Sequence, residues 1–141
     1  MTIQPQTLIT IGIVLLALVT VESGGYFLTK VMRGHVPTNA LQKNFYRAGH
    51  AHAAVLLILG MVILLVVDQV SLDQLGPDGI WGFAARNLVL ISAILMPAGF
   101  FLSVVGTDPQ KPNRLIILLW LGAMALTIGL LAAGTGILVA G

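Results

Sequence analysis

The sequence predicts an all-α membrane protein: four transmembrane helices in an up-down bundle, readable as two tandem helical hairpins, with both termini outside. Three observations lead there. First, 57% of the 141 residues are hydrophobic and 9% charged, with mean hydropathy +1.00, whereas a soluble domain runs nearer a quarter charged. Seven Lys and Arg with five Asp and Glu cannot cover a water-soluble fold of this size. Second, four apolar stretches, residues 8–29, 48–67, 84–105 and 115–140, are each long enough, at about 1.5 Å per residue, to cross a hydrocarbon core of roughly 30 Å. Third, six of the seven Lys and Arg residues fall in or at the edges of alternate loops. Residues 1–141 thus read as a single membrane domain.

Helix 1 follows residues 2–7, which carry no Lys or Arg, and its apolar run is longer than that of a signal peptide, so it is expected to be retained. Lys30, Arg33, Lys43 and Arg47 lie in the loop after it or at its edges, and Lys111 and Arg114 precede helix 4. Between helices 2 and 3 stand Asp68, Asp73 and Asp78, with Arg86 as the one cation. The positive-inside rule then puts the first and third loops in the cytoplasm, with the chain in the cell inner (plasma) membrane. The net charge of +2 reflects this topology, not nucleic-acid binding.

Helix 2 is preceded by Pro37-Thr38-Asn39, where Thr38 or Asn39 can cap an interfacial turn or two ahead of the lipid-embedded part. Leu75-Gly76-Pro77-Asp78-Gly79 is a turn, and Trp81 after it suits an interfacial anchor. Helix 3 carries a small-residue stripe, Ser92, Met96, Gly99, Ser103 and Gly106, at helical spacing. Helix 4 is introduced by Pro112-Asn113 and carries Gly122, Gly129 and Gly136 with Ala125, Ala132 and Ala133. Such faces let helices approach closely where lipid offers no hydrophobic contrast. Gly25-Tyr26-Phe27-Leu28-Thr29 aligns with Gly99-Phe100-Phe101-Leu102-Ser103, a match that a tandem duplication or convergent loop chemistry explains equally well.

The chain has no cysteine, which excludes disulfides, thiolate zinc sites, iron–sulfur clusters and thiol nucleophiles. Candidate chemistry rests on three ionisable residues at similar depth. Glu22 is the single carboxylate inside a spanning stretch; at about 2.5–3.5 kcal/mol on insertion scales, such a group calls for a partner, a cavity or an ion path. It is expected to share a face with Gly25, Tyr26 and Thr29. His50 and His52 open the lipid-embedded part of helix 2. Two residues along a helix are about 200° apart, so each imidazole must address a different side and the pair cannot chelate one ion. Glu22, His50 and His52 are the candidate metal ligands. Glu22, Tyr26, Tyr46 and Arg47 form a candidate proton relay, while His35 is expected to be solvated. The plain alternative is a Glu that fixes helix packing and interfacial histidines that snorkel.

The segment Arg47-Ala48-Gly49-His50-Ala51-His52 resembles the His-x-His helix of haem-copper oxidase subunit I, in which two histidines on opposite faces ligate different cofactors. It is also similar to small four-helix membrane proteins whose second helix opens with Gly-His-Ala-His. About a dozen residues carry the resemblance, which implies haem b or a transition-metal ion at His50 or His52. The oxidase uses further histidines on other helices, and this chain has none there. A second axial ligand would have to come from Met96, from His35 folding back, or from a homodimer sharing the haem.

Three functions follow as expectations. The first is a Glu/His site near the cytoplasmic face that binds haem or a metal ion, or relays protons, within a redox or respiratory assembly. The second is a proton-coupled carrier or channel subunit. The third is a structural or assembly subunit whose polar residues serve helix contacts. Each works as a homo-oligomer or within a larger membrane complex. Although Ser23 and Thr29 are near, no Ser–His–acid set or oxyanion donor is visible, which argues against a hydrolase or acyltransferase.

Overall fold

The computed structural model describes residues 3–70 and 79–140. Among them the chain forms four long helices, α1 (Pro5–Met32), α2 (Ala40–Val67), α3 (Ile80–Leu102) and α4 (Ile117–Ala140), the last entered through a 3-10 turn, Arg114–Ile116. All four, with the turn counted into the last, are long and apolar enough to cross a membrane. The expected turn at Leu75–Gly79, apart from Gly79, and the carboxylates Asp73 and Asp78 lie outside the described residues.

Local chemistry sets the boundaries. Pro5 occupies the first turn of α1, where a missing N–H costs nothing. At its other end the His35 N–H donates to Lys30 O (2.9 Å) and the Gly34 N–H to Val31 O (3.1 Å), with Gly34 at φ +76°. This is a Schellman closure, which needs a left-handed residue and finds it in glycine. Of the two candidate caps for α2 the chain uses Asn39, whose side chain accepts from the Gln42 N–H while the Gln42 side chain accepts from the Asn39 N–H. Helix α2 therefore starts eight residues before its apolar run and, at 28 residues, is about 42 Å long, more than the lipid core requires.

Helix α3 ends at Leu102, short of the expected Val105. The reason is a competing set of donors. Asn113 donates its backbone N–H to Ser103 O (2.7 Å) and its side-chain amide to Leu102 O (2.9 Å), and the buried Gln42 side chain donates to Val104 O (3.1 Å) and Gly106 O (2.9 Å). Asn39 also reaches Asp108 Oδ1 (2.7 Å) and Pro109 O (2.8 Å). The two basic loops are thus laced together at one end of the molecule, called here the basic end; the start of α1 and the end of α4 lie at the other, the terminal end.

The helices alternate in direction but do not close evenly. Helix α3 packs extensively on both α2 and α4, whereas α1 rides on α2 at the edge and reaches α3 and α4 at most marginally. One core cluster joins Val14, Leu56, Leu57, Ala93 and Met96; a second, at the terminal end, joins Val67, Ala84, Ala85, Ala132 and Ala133. The α3–α4 seam uses Gly99 of the α3 stripe and Gly122 and Gly129 of the α4 stripe, whereas Ser103 and Gly106 of the expected α3 stripe fall beyond the end of the helix. A Cβ on Gly99 would meet the backbone of Leu119 (Cα at 2.8 Å), one on Gly122 the backbone N of Met96 (2.7 Å), and one on Gly129 the backbone N of Val89 (3.0 Å).

Candidate functional site

At the basic end, Gly49 decides how α2 meets α3. A Cβ there would lie 2.8 Å from the Phe101 ring and 3.0 Å from Phe100 Cβ, so only glycine lets these aromatics rest on the α2 backbone. Tyr46 stacks on Phe101 (5.6 Å between centroids) and meets Phe27 of α1 edge-on (5.7 Å), while Phe45 meets Phe100 edge-on (5.6 Å). These pairs tie three helices together with the geometry that aromatic rings prefer. Tyr46, a candidate proton-relay residue, stands inside this cluster; Arg47 is exposed beside it.

The two histidines turn to opposite sides of α2, as their spacing requires. The His50 ring lies against α1: Cβ atoms on Gly24 and Gly25 would sit 3.5 Å from its Nδ1 and 3.4 Å from its Cε1. The His52 ring lies 5.0 Å from the Phe100 ring of α3, and its Nδ1 is 2.7 Å from Ala48 O. A carbonyl can only accept, so Nδ1 carries a proton and a neutral His52 keeps its lone pair on Nε2.

Glu22 does not join them. Its side chain is exposed on the far side of α1, and among the described residues the one ion pair is Arg86–Asp68, so no histidine nitrogen comes within 4.0 Å of the Glu22 carboxyl. Nor does any group of three His, Asp or Glu side chains converge among the described residues. The expectation that Glu22 shares a face with Gly25 is corrected. Three residues along a helix leave about 60° between side chains, and the edge of the α1–α2 contact falls inside that gap: Gly25 faces α2, whereas Glu22, Tyr26 and Thr29 face away. Tyr26 is exposed with Lys30 Nζ 4.6 Å over its ring. Met96 is buried in the core against Gly122, and His35 closes α1 through its backbone with its side chain exposed.

A polar site lies at the terminal end, at residues where the sequence predicts a loop. Asp68, the C-cap of α2, has a fully buried carboxylate. It accepts from the Gln4 backbone N–H (2.8 Å), from Arg86 Nη1 (2.9 Å) and from the Thr7 hydroxyl (3.1 Å). The Gln4 N–H, with Arg86 and Thr7 in support, holds the Asp68 carboxyl below the usual carboxylate range against a burial that pushes it up. One aspartate therefore fastens α1, α2 and α3. Beside it a polar cleft of about 110 Å³ runs between Thr7 and Thr10 of α1 and Arg86 and Asn87 of α3. The available signal was Arg86 itself, a lone cation in an apolar helix that needs an anion nearby.

Three parts of the chain thus carry polar chemistry: two separated histidines, a fastened aspartate and an outward-facing glutamate. Comparison with known protein families, with curated proteins and with solved structures finds no match for the chain.

Proposed function

We propose that the chain is a structural subunit of a membrane assembly that docks through the outer face of α1, with the basic loops in the cytoplasm of a cell whose inner membrane it spans. One observation carries this reading: Glu22 stands exposed, without a partner among the described residues, ten residues from the end of a helix long enough to span a bilayer. That is about 15 Å along the helix, inside the hydrocarbon core on its cytoplasmic side. An ionisable group left there to lipid costs a few kcal/mol, and the same group covered by a polar partner does not. The test replaces Val19, one turn from Glu22 on the same face, with a photo-crosslinking amino acid and irradiates native membranes. Protein adducts are expected; adducts to lipid alone contradict the reading.

A second reading, in which His50 or His52 ligates haem b or a transition-metal ion in a redox assembly, has one feature in its favour. The Ala48 carbonyl fixes the His52 tautomer and leaves Nε2 free to ligate, as partners of metal-binding histidines do. Oxidised and reduced absorption spectra test it. Soret and α bands, or stoichiometric metal, support it; a colourless, metal-free preparation rejects it.

A further inference from the structure

We infer that the partner covering the outer face of α1 is a second copy of this chain, paired through two reciprocal Glu22–Tyr26 hydrogen bonds across a two-fold axis. The inference rests on the docking role proposed above and names the partner. Two copies in one membrane share one orientation, so α1 against α1 packs parallel and sets Glu22 of each copy at the depth of Glu22 in the other. A two-fold interface must be self-complementary, with residue i meeting j and j meeting i. The outer face of α1 has that property at Glu22 and Tyr26.

Its polar inventory is short. The Ser23 hydroxyl donates to Thr20 O and the Thr20 hydroxyl to Ala17 O, each at 2.6 Å, so both are satisfied within the helix. Among the described residues the Glu22 carboxyl and the Tyr26 hydroxyl have no hydrogen-bond partner, and both are exposed, one turn apart on the same face. One is an acceptor and the other carries an O–H donor. Helical side chains lean toward the N-terminus, so Tyr26 extends back over the turn that holds Glu22. A neighbouring copy then receives the phenol at the level of its own carboxyl, and the two bonds form as a pair. Toward the terminal end the same face carries Gly12, whose Cβ position has nothing within 4 Å, leaving room for the helices to close. The outer face of α4 differs: its exposed Thr127 and Thr135 hydroxyls donate to carbonyls of their own helix, so lipid satisfies it.

The chain contains no cysteine, so single cysteines report contacts without ambiguity. Each of Val19→Cys and Ser23→Cys on α1, and Met124→Cys and Leu131→Cys on α4, is oxidised in native membranes and in bilayers at low protein density. The expected result is a disulfide dimer of twice the 14.9 kDa chain from the α1 positions and none from α4. Glu22→Leu and Tyr26→Phe should each weaken dimerisation at least threefold, by the worth of a membrane-buried hydrogen bond, while Glu22→Gln, which still accepts, retains it. Circular dichroism confirms that each variant is helical. Dimers from α4 alone, or α1 dimers indifferent to Glu22→Leu and Tyr26→Phe, overturn the inference. Joining of α1 to a chain of different mass overturns it but leaves the docking role standing. A monomer at every density overturns it, and the photo-crosslink at Val19 then decides the docking role.

Discussion

The two hairpins of this molecule are built on opposite economies. In α3–α4 the backbones touch: Gly99 and Gly122 leave no room for even a methyl group between the helices, and Gly129 leaves little. In α1–α2 the glycines Gly24 and Gly25 make ordinary contact with an imidazole, and α1 has no neighbour beyond α2 of comparable extent. The first hairpin gains from close dispersion contact along a whole seam, the interaction that remains available between helices in lipid. The second meets through side chains around Val14, Leu56 and Leu57 and is fastened at its ends, by Asp68 at one and by the aromatic cluster at the other. Ionisable groups concentrate in the second, because a loosely packed helix can present them outward or to a partner, whereas a seam of backbone contact has no space for them.

The largest effect should come from closing the tight seam. Gly99→Ala or Gly122→Ala puts a Cβ into backbone that cannot yield without shifting a helix, and should cost about 3 kcal/mol in a detergent-titration unfolding measurement followed by circular dichroism. Next comes the fastening of α1. Asp68→Asn leaves Arg86 without its anion and should cost about 2 kcal/mol, with α1 becoming protease-sensitive before α3 and α4. Because the folded Asp68 carboxyl titrates below its ordinary value of 3.8, its contribution is complete above that value and is lost as pH falls through the folded value. The parent should therefore lose stability below about pH 4, and Asp68→Asn should lose less over the same range.

Smaller still is the cap of α2, where Asn39→Ala should cost about 1 kcal/mol and loosen the loop around Asp108. The smallest effect is the sharpest contrast. Gly25→Ala introduces a Cβ at 3.4 Å from His50 Cε1, an ordinary contact, and alanine favours the helix by up to about 1 kcal/mol. Stability should be unchanged or slightly higher, where the same substitution at Gly99 is damaging.

The difference between the hairpins also explains what the sequence could show. Four helices, a cap for α2 at Thr38 or Asn39 and the α4 glycine stripe could be read directly, since apolar length, capping chemistry and small-residue spacing are local signals. The opposite facing of His50 and His52 followed from helical geometry alone. The orientation of Glu22 did not, because α1 is apolar around nearly its whole circumference, so no amphipathic pattern marks its inner face. The buried bonds of Asp68 and Gln42 were hidden for a different reason: their partners lie 18 to 64 residues away in sequence. The stop of α3 at Leu102 likewise depends on donors from Gln42 and Asn113, which an apolar run cannot reveal.

Docking through α1 requires that its outer face be covered by protein in the membrane and that of α4 be left to lipid. Val19 and Leu131 make a matched pair, 61% and 60% exposed in the single chain. Spin labels at these positions in native membranes report collision with lipid-dissolved oxygen. Val19 should be strongly protected and Leu131 freely accessible; equal access at both rules out docking through α1.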